Sequence, residues 1–263
     1  MRRPEPLPPL LCDADLPLPV FESASQSAPG CPEFEGAFLL ENFLSEGEAV
    51  SLLEEIERWP FLPSQSGKQK QHFGPKVNFN KRRLNASAFD GLPAYSADLN
   101  LRFLERLMEH SESTNALRSV ARAFEPTDVF VLRYREGEAS NLDFHLDDTF
   151  AYGEMILDLS LEADSVMTFY RDRPGGEIPL ADNRTARPAC VRVPLPARSL
   201  LILSGAARYE WEHALLARDI RDQRTSLTFR TLGPELAETD QGKDVLASAK
   251  RLLSPNSSFD STG

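Results

Sequence analysis

The run DVFVLRY (residues 128–134) decides the fold, because it is the first of seven short runs rich in β-branched, aromatic and other apolar residues. The other six are MILDLSL (155–161), SVMTFYR (165–171), ACVRVPL (189–195), SLLILSG (199–205), RYEWEHA (208–214) and RTSLTFRTL (224–232). Short strands in close succession are typical of two packed sheets of the jelly-roll type. The sequence therefore predicts a mainly β fold in this half of the chain.

Two helices are predicted before these strands, which makes the class α+β with supporting N-terminal helices. Ser45 followed three residues later by Glu48 forms a capping box, and the helix that it starts should end at Trp59, before Pro60. A second helix is predicted over residues 96–109. Its apolar stripe is predicted to consist of Leu99, Leu101, Leu104 and Leu107.

The chain divides into three parts by composition. Residues 1–33 are rich in proline, serine and acidic residues and are predicted to be a disordered arm. Residues 34–235 form the predicted domain, and residues 236–263 form a tail that is predicted to be weakly helical to disordered. No internal repeat is found.

The composition of the 263 residues excludes several classes of protein. No apolar run is long enough to cross a bilayer, and prolines interrupt the N-terminal apolar stretch that a signal peptide would need. Three well separated cysteines form neither a disulfide framework nor a zinc motif. A cytoplasmic protein is expected, with the nucleus accessible to it. The net charge of -11 disfavours binding of duplex nucleic acid unless basic residues are concentrated locally.

A candidate metal site lies in NLDFHLDDTF (141–150). If this segment is extended, His145 and Asp147 point to the same side and can reach one metal ion. A histidine and a carboxylate completed by one distant histidine make the facial triad of non-haem iron oxygenases. His213 is the best partner, because it follows the apolar strand 199–205, whereas His110 lies at a predicted helix end.

The run RTSLTFR places Arg224, Ser226, Thr228 and Arg230 on one face of a strand. Alone, this pattern fits an edge strand with a solvated face, but inside a barrel an arginine there can bind a dicarboxylate through paired hydrogen bonds. Two other interpretations remain open: a lectin-like jelly roll without metal, and a cupin-like or zinc hydrolase site. The latter usually has further histidines at short spacing.

Taken together, these motifs resemble the AlkB-like iron(II)- and 2-oxoglutarate-dependent dioxygenases, with HLD, WEH and RTSLTFR in that family's order. The strings SQSGKQKQHFGPKVNFNKRRL (64–84) and VPLPARSLLILSGAARYEWEHA (193–214) are similar to those of the fourth AlkB homologue branch. The resemblance covers about residues 34–232.

The resemblance implies a double-stranded β-helix that binds iron(II) through His145, Asp147 and His213. It also implies that 2-oxoglutarate is bound by Tyr134, Arg224, Arg230 and Thr228, with Tyr134 and Arg224 on its far carboxylate and Arg230 near the metal. With dioxygen as the third reactant, an N-methyl group would be oxidised and lost as formaldehyde. No catalytic residue beyond the metal site is predicted.

The same resemblance makes residues 64–84 a substrate lid. This lid carries six basic residues and no acidic one, although a solvated surface loop would have the same composition. His72, Phe73 and Phe79 are predicted to stack on a substrate. The full set of predicted substrate contacts is Lys70, His72, Phe73, Lys76, Asn78, Phe79 and Thr149.

Two departures from the family's repair enzymes bear on the substrate. Leu132 replaces an asparagine that binds the cosubstrate, and Thr149 replaces an acidic residue that reads the damaged base. The loss of that acidic residue, together with the acidic net charge, favours methylated lysine on protein, with actin as the named case. The alternatives are DNA adenine methylated on its exocyclic amine and, in another class, an iron- and 2-oxoglutarate-binding interaction module with little turnover.

Overall fold

Two antiparallel sheets, of seven and four strands, dominate the computed structural model of the chain. It describes residues 34–109, 115–138, 140–171 and 189–255. One hydrophobic cluster joins the sheets: Ile156 and Leu201 come from the larger sheet, and Phe169 and Val193 come from the smaller one. The sheets therefore pack face to face, which confirms the predicted mainly β sandwich.

The strands are numbered along the chain. The larger sheet runs through β1 (Ala37–Leu40), β12 (Leu200–Leu203), β9 (Tyr152–Glu162), β14 (Gln223–Leu232), β7 (Asp128–Arg135), β3 (Gln69–Phe73) and β2 (Leu62–Pro63). The smaller sheet runs through β11 (Ala189–Leu195), β10 (Ser165–Arg171), β13 (Glu212–Leu215) and β8 (Leu142–His145). Two short pairs complete the set, β4 (Lys76–Asn78) with β5 (Arg83–Asn85) and β6 (Leu92–Pro93) with β15 (Leu252–Leu253).

Three helices cover the outer face of the larger sheet: α1 (Glu46–Glu57), α2 (Tyr95–Glu109) and α3 (Asn115–Arg122). Ile56 of α1 and Phe103 of α2 share one cluster with Val131 of β7 and Leu227 of β14. Because side chains alternate along a strand, this arrangement turns the odd-numbered apolar residues of β7 and β14 towards the helices. The even-numbered residues, among them Asp128 and Arg224, face the smaller sheet.

Both predicted helices are present, but one stripe residue was wrong. Ser45 accepts a hydrogen bond from the backbone nitrogen of Glu48, and Glu48 accepts one from that of Ser45, which confirms the capping box. In α2, Leu101 is 58% exposed. Residues two apart on a helix lie on opposite sides, so Leu99 and Phe103 occupy the buried face instead.

The predicted strand at residues 208–214 was also partly wrong. Residues 205–209 form the short helix α4 (Gly205–Tyr209), and the strand β13 begins only at Glu212. A 3-10 turn, Ala217–Asp219, connects β13 towards β14. None of the described helices combines the length and apolar character that a membrane-spanning segment needs.

The packed structure continues past residue 235, where the sequence prediction ended the domain. It includes α5 (Pro234–Ala237) and α6 (Asp240–Ala249), and β15 pairs with β6. Val245 of α6 is fully buried in the helix-side cluster. The predicted arm, residues 1–33, and the end of the tail, residues 256–263, lie outside the described residues.

Replacing Gly242 by alanine is expected to destabilise this C-terminal packing. A Cβ atom there would stand 1.9 Å from the backbone oxygen of Leu236, so the α5–α6 connection must shift. We expect the free energy of unfolding to fall by about 1–3 kcal/mol, as measured by urea denaturation. Gly47→Ala in α1 is the matched control, because no atom lies within 4 Å of that position and alanine favours the helix. Equal stability of the two variants would contradict the packing of α6.

Candidate metal and cosubstrate site

His145, Asp147 and His213 meet between the two sheets. His145 ends β8, Asp147 follows it in the next loop, and His213 lies directly opposite His145 on β13. One ligand atom from each residue lies within 4.8 Å of the other two. The described structure thus brings together the three residues that the sequence predicted as metal ligands.

Hydrogen bonding at Nδ1 leaves Nε2 of His145 free to bind a metal ion. Its Nδ1 lies 2.8 Å from the backbone oxygen of Asp143. A carbonyl oxygen only accepts, so Nδ1 carries the proton and Nε2 presents its lone pair. Fixing the tautomer of a ligand histidine through a backbone carbonyl is a usual device in metal sites.

His213 is held in the neutral form that a metal requires. Burial lowers its pKa to about 3, with the neighbouring His145 acting in the same direction and Asp147 against it. Its Nε2 lies 3.7 Å from Oδ2 of Asp147, and its buried Nδ1 has no hydrogen-bond partner among the described residues. The ring can therefore bind a cation without first losing a proton.

Asp147 is ionised, and only one of its two carboxylate oxygens is occupied by Arg230. Burial alone would raise its pKa, but the Arg230 guanidinium and the two histidines outweigh burial and hold the pKa far below its usual range. Arg230 donates to Oδ1 of Asp147 at 2.8 Å. Oδ2, on the side of His213, remains for a metal. Two imidazole rings and one free carboxylate oxygen match the donor set of iron(II) oxygenases.

A buried arginine fixes the loop that carries Asp147. Arg208 on α4 is 2% exposed and donates to the backbone oxygens of Asp147 at 2.8 Å and Asp148 at 3.0 Å. The carboxylate of Asp148 accepts from the backbone nitrogens of Phe150 and Ala151. The loop is therefore held from both sides, and Asp148 serves as a structural carboxylate.

Arg230 also connects the loop that carries Asp147 to strand β3, which lies within the predicted lid. Its Nη1 donates to Oδ1 of Asp128 at 3.0 Å, and Oδ2 of the same carboxylate lies 2.6 Å from Nε2 of His72 on β3. The Tyr152 ring lies 4.9 Å from the guanidinium. Asp128 is 1% exposed, so it neutralises Arg230 inside the protein.

A second polar group lies farther along β14. Arg224 and Tyr134 are each 1% exposed and lie opposite each other on neighbouring strands. Arg224 donates to Oδ2 of Asp158 at 2.9 Å and to Oγ of Ser160 at 2.7 Å. Its buried Nε has no partner among the described residues. A buried guanidinium with a free donor fits a carboxylate of a bound acid.

The fourth predicted cosubstrate residue, Thr228, has a partner of its own. Thr228, between the two arginines on β14, donates to Oδ1 of Asp158 at 3.2 Å. Leu132 is buried on the same side of β7 and packs in a small cluster with Leu215 and Ile220. The cosubstrate side of the site therefore combines the polar residues of β14 with apolar side chains.

The predicted substrate residues are not all available to a substrate. Phe73 is only 8% exposed and packs edge-on against Trp59, at a centroid distance of 5.0 Å, so its predicted stacking role was wrong. The β3 alternation explains this position, because Gln71 and Phe73 face the helices on the outer side of the larger sheet. Lys70 and His72 lie on the opposite face of the sheet. Part of the predicted lid is therefore a strand of the larger sheet.

Lys68, part of the basic run, is 7% exposed and donates to the backbone oxygen of Asn141. The His72 ring packs near Phe130, at a centroid distance of 5.1 Å. Asn78 accepts from the backbone nitrogen of Lys81 and so shapes the hairpin turn. The predicted contacts that remain exposed are His72, Lys76, Asn78, Phe79 and Thr149, and Lys70 is half-buried.

Three residues that matter to this site were missed in the sequence: Asp128, Asp158 and Arg208. Asp158 carried a signal, because it is a charged residue inside the apolar run MILDLSL, whereas Asp128 is only the first residue of its strand. Alternation places Asp128 on the side of Tyr134 and Asp158 on that of Ser160. Arg208 gave no comparable signal, since its partners are backbone oxygens about 60 residues away in sequence.

Comparison with known proteins agrees with this geometry. Residues 36–230 match the model of the 2OG-Fe(II) oxygenase superfamily. The chain is 34% identical to the human alpha-ketoglutarate-dependent dioxygenase alkB homolog 4, over 81% of this chain and 74% of that protein. It is 32% identical to a DNA N6-methyl adenine demethylase of Caenorhabditis elegans, over 81% of this chain and 66% of that protein. A solved structure of OsALKBH1 is 16% identical, with a TM-score of 0.48, and covers 74% of this chain and 98% of its own.

Proposed function

The chain belongs to the AlkB-like group of the 2OG-Fe(II) oxygenase superfamily, and from this premise we propose that it removes N-methyl groups from a macromolecular substrate by oxidation. As an oxygenase of this superfamily it uses iron(II), 2-oxoglutarate and dioxygen. Bound together, these supply the oxidation of a C–H bond, after which a hydroxylated N-methyl group leaves as formaldehyde. Family membership favours an enzyme over the interaction module considered from the sequence.

The protein's own residues have separate parts in this proposal. His145, Asp147 and His213 would hold iron(II), and Arg230 orients the Asp147 carboxylate by occupying its Oδ1. Arg224 and the facing Tyr134 would bind the far carboxylate of 2-oxoglutarate. Burial keeps the Tyr134 pKa far above its usual range, with Asp158 acting in the same direction and Arg224 against them, so the phenol remains a hydrogen-bond donor.

The observation that carries the substrate proposal is the position of the β4–β5 hairpin. The Arg82 guanidinium lies 4.7 Å from the ring centroid of Phe150, and Phe150 is in the loop that carries Asp147. The hairpin adds exposed Lys76 and Arg83, with Phe79 51% exposed at its tip. Cations beside an exposed aromatic ring suit a single nucleic-acid strand.

We therefore place DNA adenine methylated on its exocyclic amine first. The C. elegans relative, whose name specifies this substrate, supports that choice, and neither relative described above names a protein substrate. Methylated lysine on protein, actin included, is the second candidate. The net charge of -11 and an exposed, uncharged Thr149 in place of a base-reading acid favour it.

The test compares two substrates under single-turnover conditions. Protein with iron(II), 2-oxoglutarate and dioxygen is incubated with a single-stranded oligonucleotide containing N6-methyladenine or with a methyl-lysine peptide. Loss of methyl by mass spectrometry and release of formaldehyde are measured. We expect demethylation of the oligonucleotide, weaker binding of it at higher salt, and a further loss of affinity in Lys76→Ala/Arg83→Ala. Demethylation of the peptide alone would favour the second candidate, and no reaction with either would contradict both.

A further inference from the structure

The cosubstrate arginine already has an internal carboxylate partner. Asp158, on β9, lies opposite Thr228 and accepts from it at 3.2 Å. The other carboxylate oxygen of Asp158, Oδ2, accepts a hydrogen bond from Nη2 of Arg224 at 2.9 Å. The Asp158 side chain is 10% exposed and that of Arg224 is 2% exposed, so this ion pair is hardly screened by water.

The position of this carboxylate matters as much as its partner. Along β14, Thr228 lies between Arg224 and Arg230, and Asp158 is the residue that faces it across the sheet. A dicarboxylate whose two ends are bound near Arg230 and at Arg224 therefore passes beside Asp158. The Arg224 charge that should attract the far carboxylate is already balanced by a negative charge at hydrogen-bonding distance.

We propose that Asp158 is a specificity-determining residue that weakens the binding of 2-oxoglutarate. It does so by neutralising Arg224 and by repelling the dianion, and it leaves the binding of 2-oxo acids without a far carboxylate almost unchanged. The consequence is an oxygenase whose occupancy by 2-oxoglutarate follows the concentration of that metabolite instead of being saturated. The inference rests on the assignment of Arg224 proposed above, but it does not depend on the methylated substrate.

The test measures affinity, with Mn(II) in place of iron so that no turnover occurs. The Kd values of 2-oxoglutarate and of 2-oxopentanoate, which has the same carbon chain but no far carboxylate, are measured by calorimetry in wild type and Asp158→Asn. Asparagine keeps an acceptor oxygen for Arg224 and loses only the charge. We expect 2-oxoglutarate to bind about tenfold tighter or more in Asp158→Asn, and 2-oxopentanoate to change less than about twofold.

Control variants separate the possible failures. Ser160→Ala removes the second hydrogen-bond acceptor of Arg224 Nη2 without changing the charge of the site. This variant should not bind 2-oxoglutarate more tightly than wild type does. Arg224→Gln should remove the preference for 2-oxoglutarate over 2-oxopentanoate. If it does not, the assignment of Arg224 itself is wrong.

Weaker or unchanged binding of 2-oxoglutarate in Asp158→Asn, with Arg224→Gln behaving as expected, would overturn the role of Asp158 alone. Equal tightening of both acids would overturn it too, because that result indicates a change of pocket shape. If circular dichroism shows that Asp158→Asn does not fold, the Kd values of the two acids for the wild-type protein test the proposal. A preference of wild type for 2-oxoglutarate over 2-oxopentanoate far greater than about tenfold would then contradict the proposal.

Discussion

Asp147→Ala is expected to abolish iron(II) binding and to reduce substrate oxidation by more than about 100-fold, above the 10–100-fold that changes around the ligands usually cost. The variant leaves two imidazole rings beside the buried guanidinium of Arg230, which has lost its carboxylate partner at 2.8 Å. The site would then offer a dication no anionic ligand, next to a guanidinium that only Asp128 still compensates. Anaerobic titration with iron(II) and 2-oxoglutarate checks this, through the weak visible band of a chelated 2-oxo acid and through metal content.

Asp143→Asn is the matched control for that experiment. Asp143 is exposed, and its side chain contacts Asn141, whereas only its backbone oxygen fixes the ring of His145. Iron binding and the visible band should therefore stay at the wild-type level. An Asp147→Ala protein that is folded and still shows the band would sink the assignment of the metal site.

The metal site was predictable because it depends on short-range patterns. His145 and Asp147 are two residues apart at a strand end, which alternation alone brings to one side. His213 could be inferred because an apolar strand precedes it and few other histidines compete. In the structure the register pairs His213 with His145, so the two residues that the chemistry singles out lie opposite each other.

The contacts that surround these ligands could not be predicted, because they depend on which face of each strand is buried. Alternation in KQKQHF identifies two faces but not the one that packs against α1, so Phe73 was assigned to the substrate instead of to Trp59. The same limit hid Asp128, whose partners His72 and Arg230 come from strands 56 and 102 residues away in sequence. Such contacts are created by the sheet order and have no local signature.

Because of that sheet order, a continuous series of side-chain contacts leads from β3 to the metal site. His72 on β3 contacts Asp128 on β7, Asp128 binds Arg230 on β14, and Arg230 binds the ligand Asp147. Each contact joins one strand to its neighbour or to the metal loop. The geometry of Asp147 therefore depends on a carboxylate that never touches the metal.

Asp128→Ala is accordingly expected to lower the free energy of unfolding by about 3–5 kcal/mol, because it removes one partner of a buried ion pair and leaves Arg230 with less compensation. Glu57→Ala is the contrasting control. Glu57 pairs with Arg133, but its side chain is 55% exposed, so its removal should cost less than about 1 kcal/mol. Urea denaturation of both variants measures the difference.

The same variant should also weaken iron(II) binding, since Arg230 then pulls on Asp147 alone and can draw its carboxylate away from the histidines. We expect a loss of about 10–100-fold in affinity, measured by metal titration at a temperature where Asp128→Ala is folded. His72→Ala should lose much less stability than Asp128→Ala, because the His72 side chain is 32% exposed and Asp128 keeps Arg230. If Asp128→Ala were no less stable than Glu57→Ala, Asp128 could not be the buried counter-ion on which the site's geometry depends.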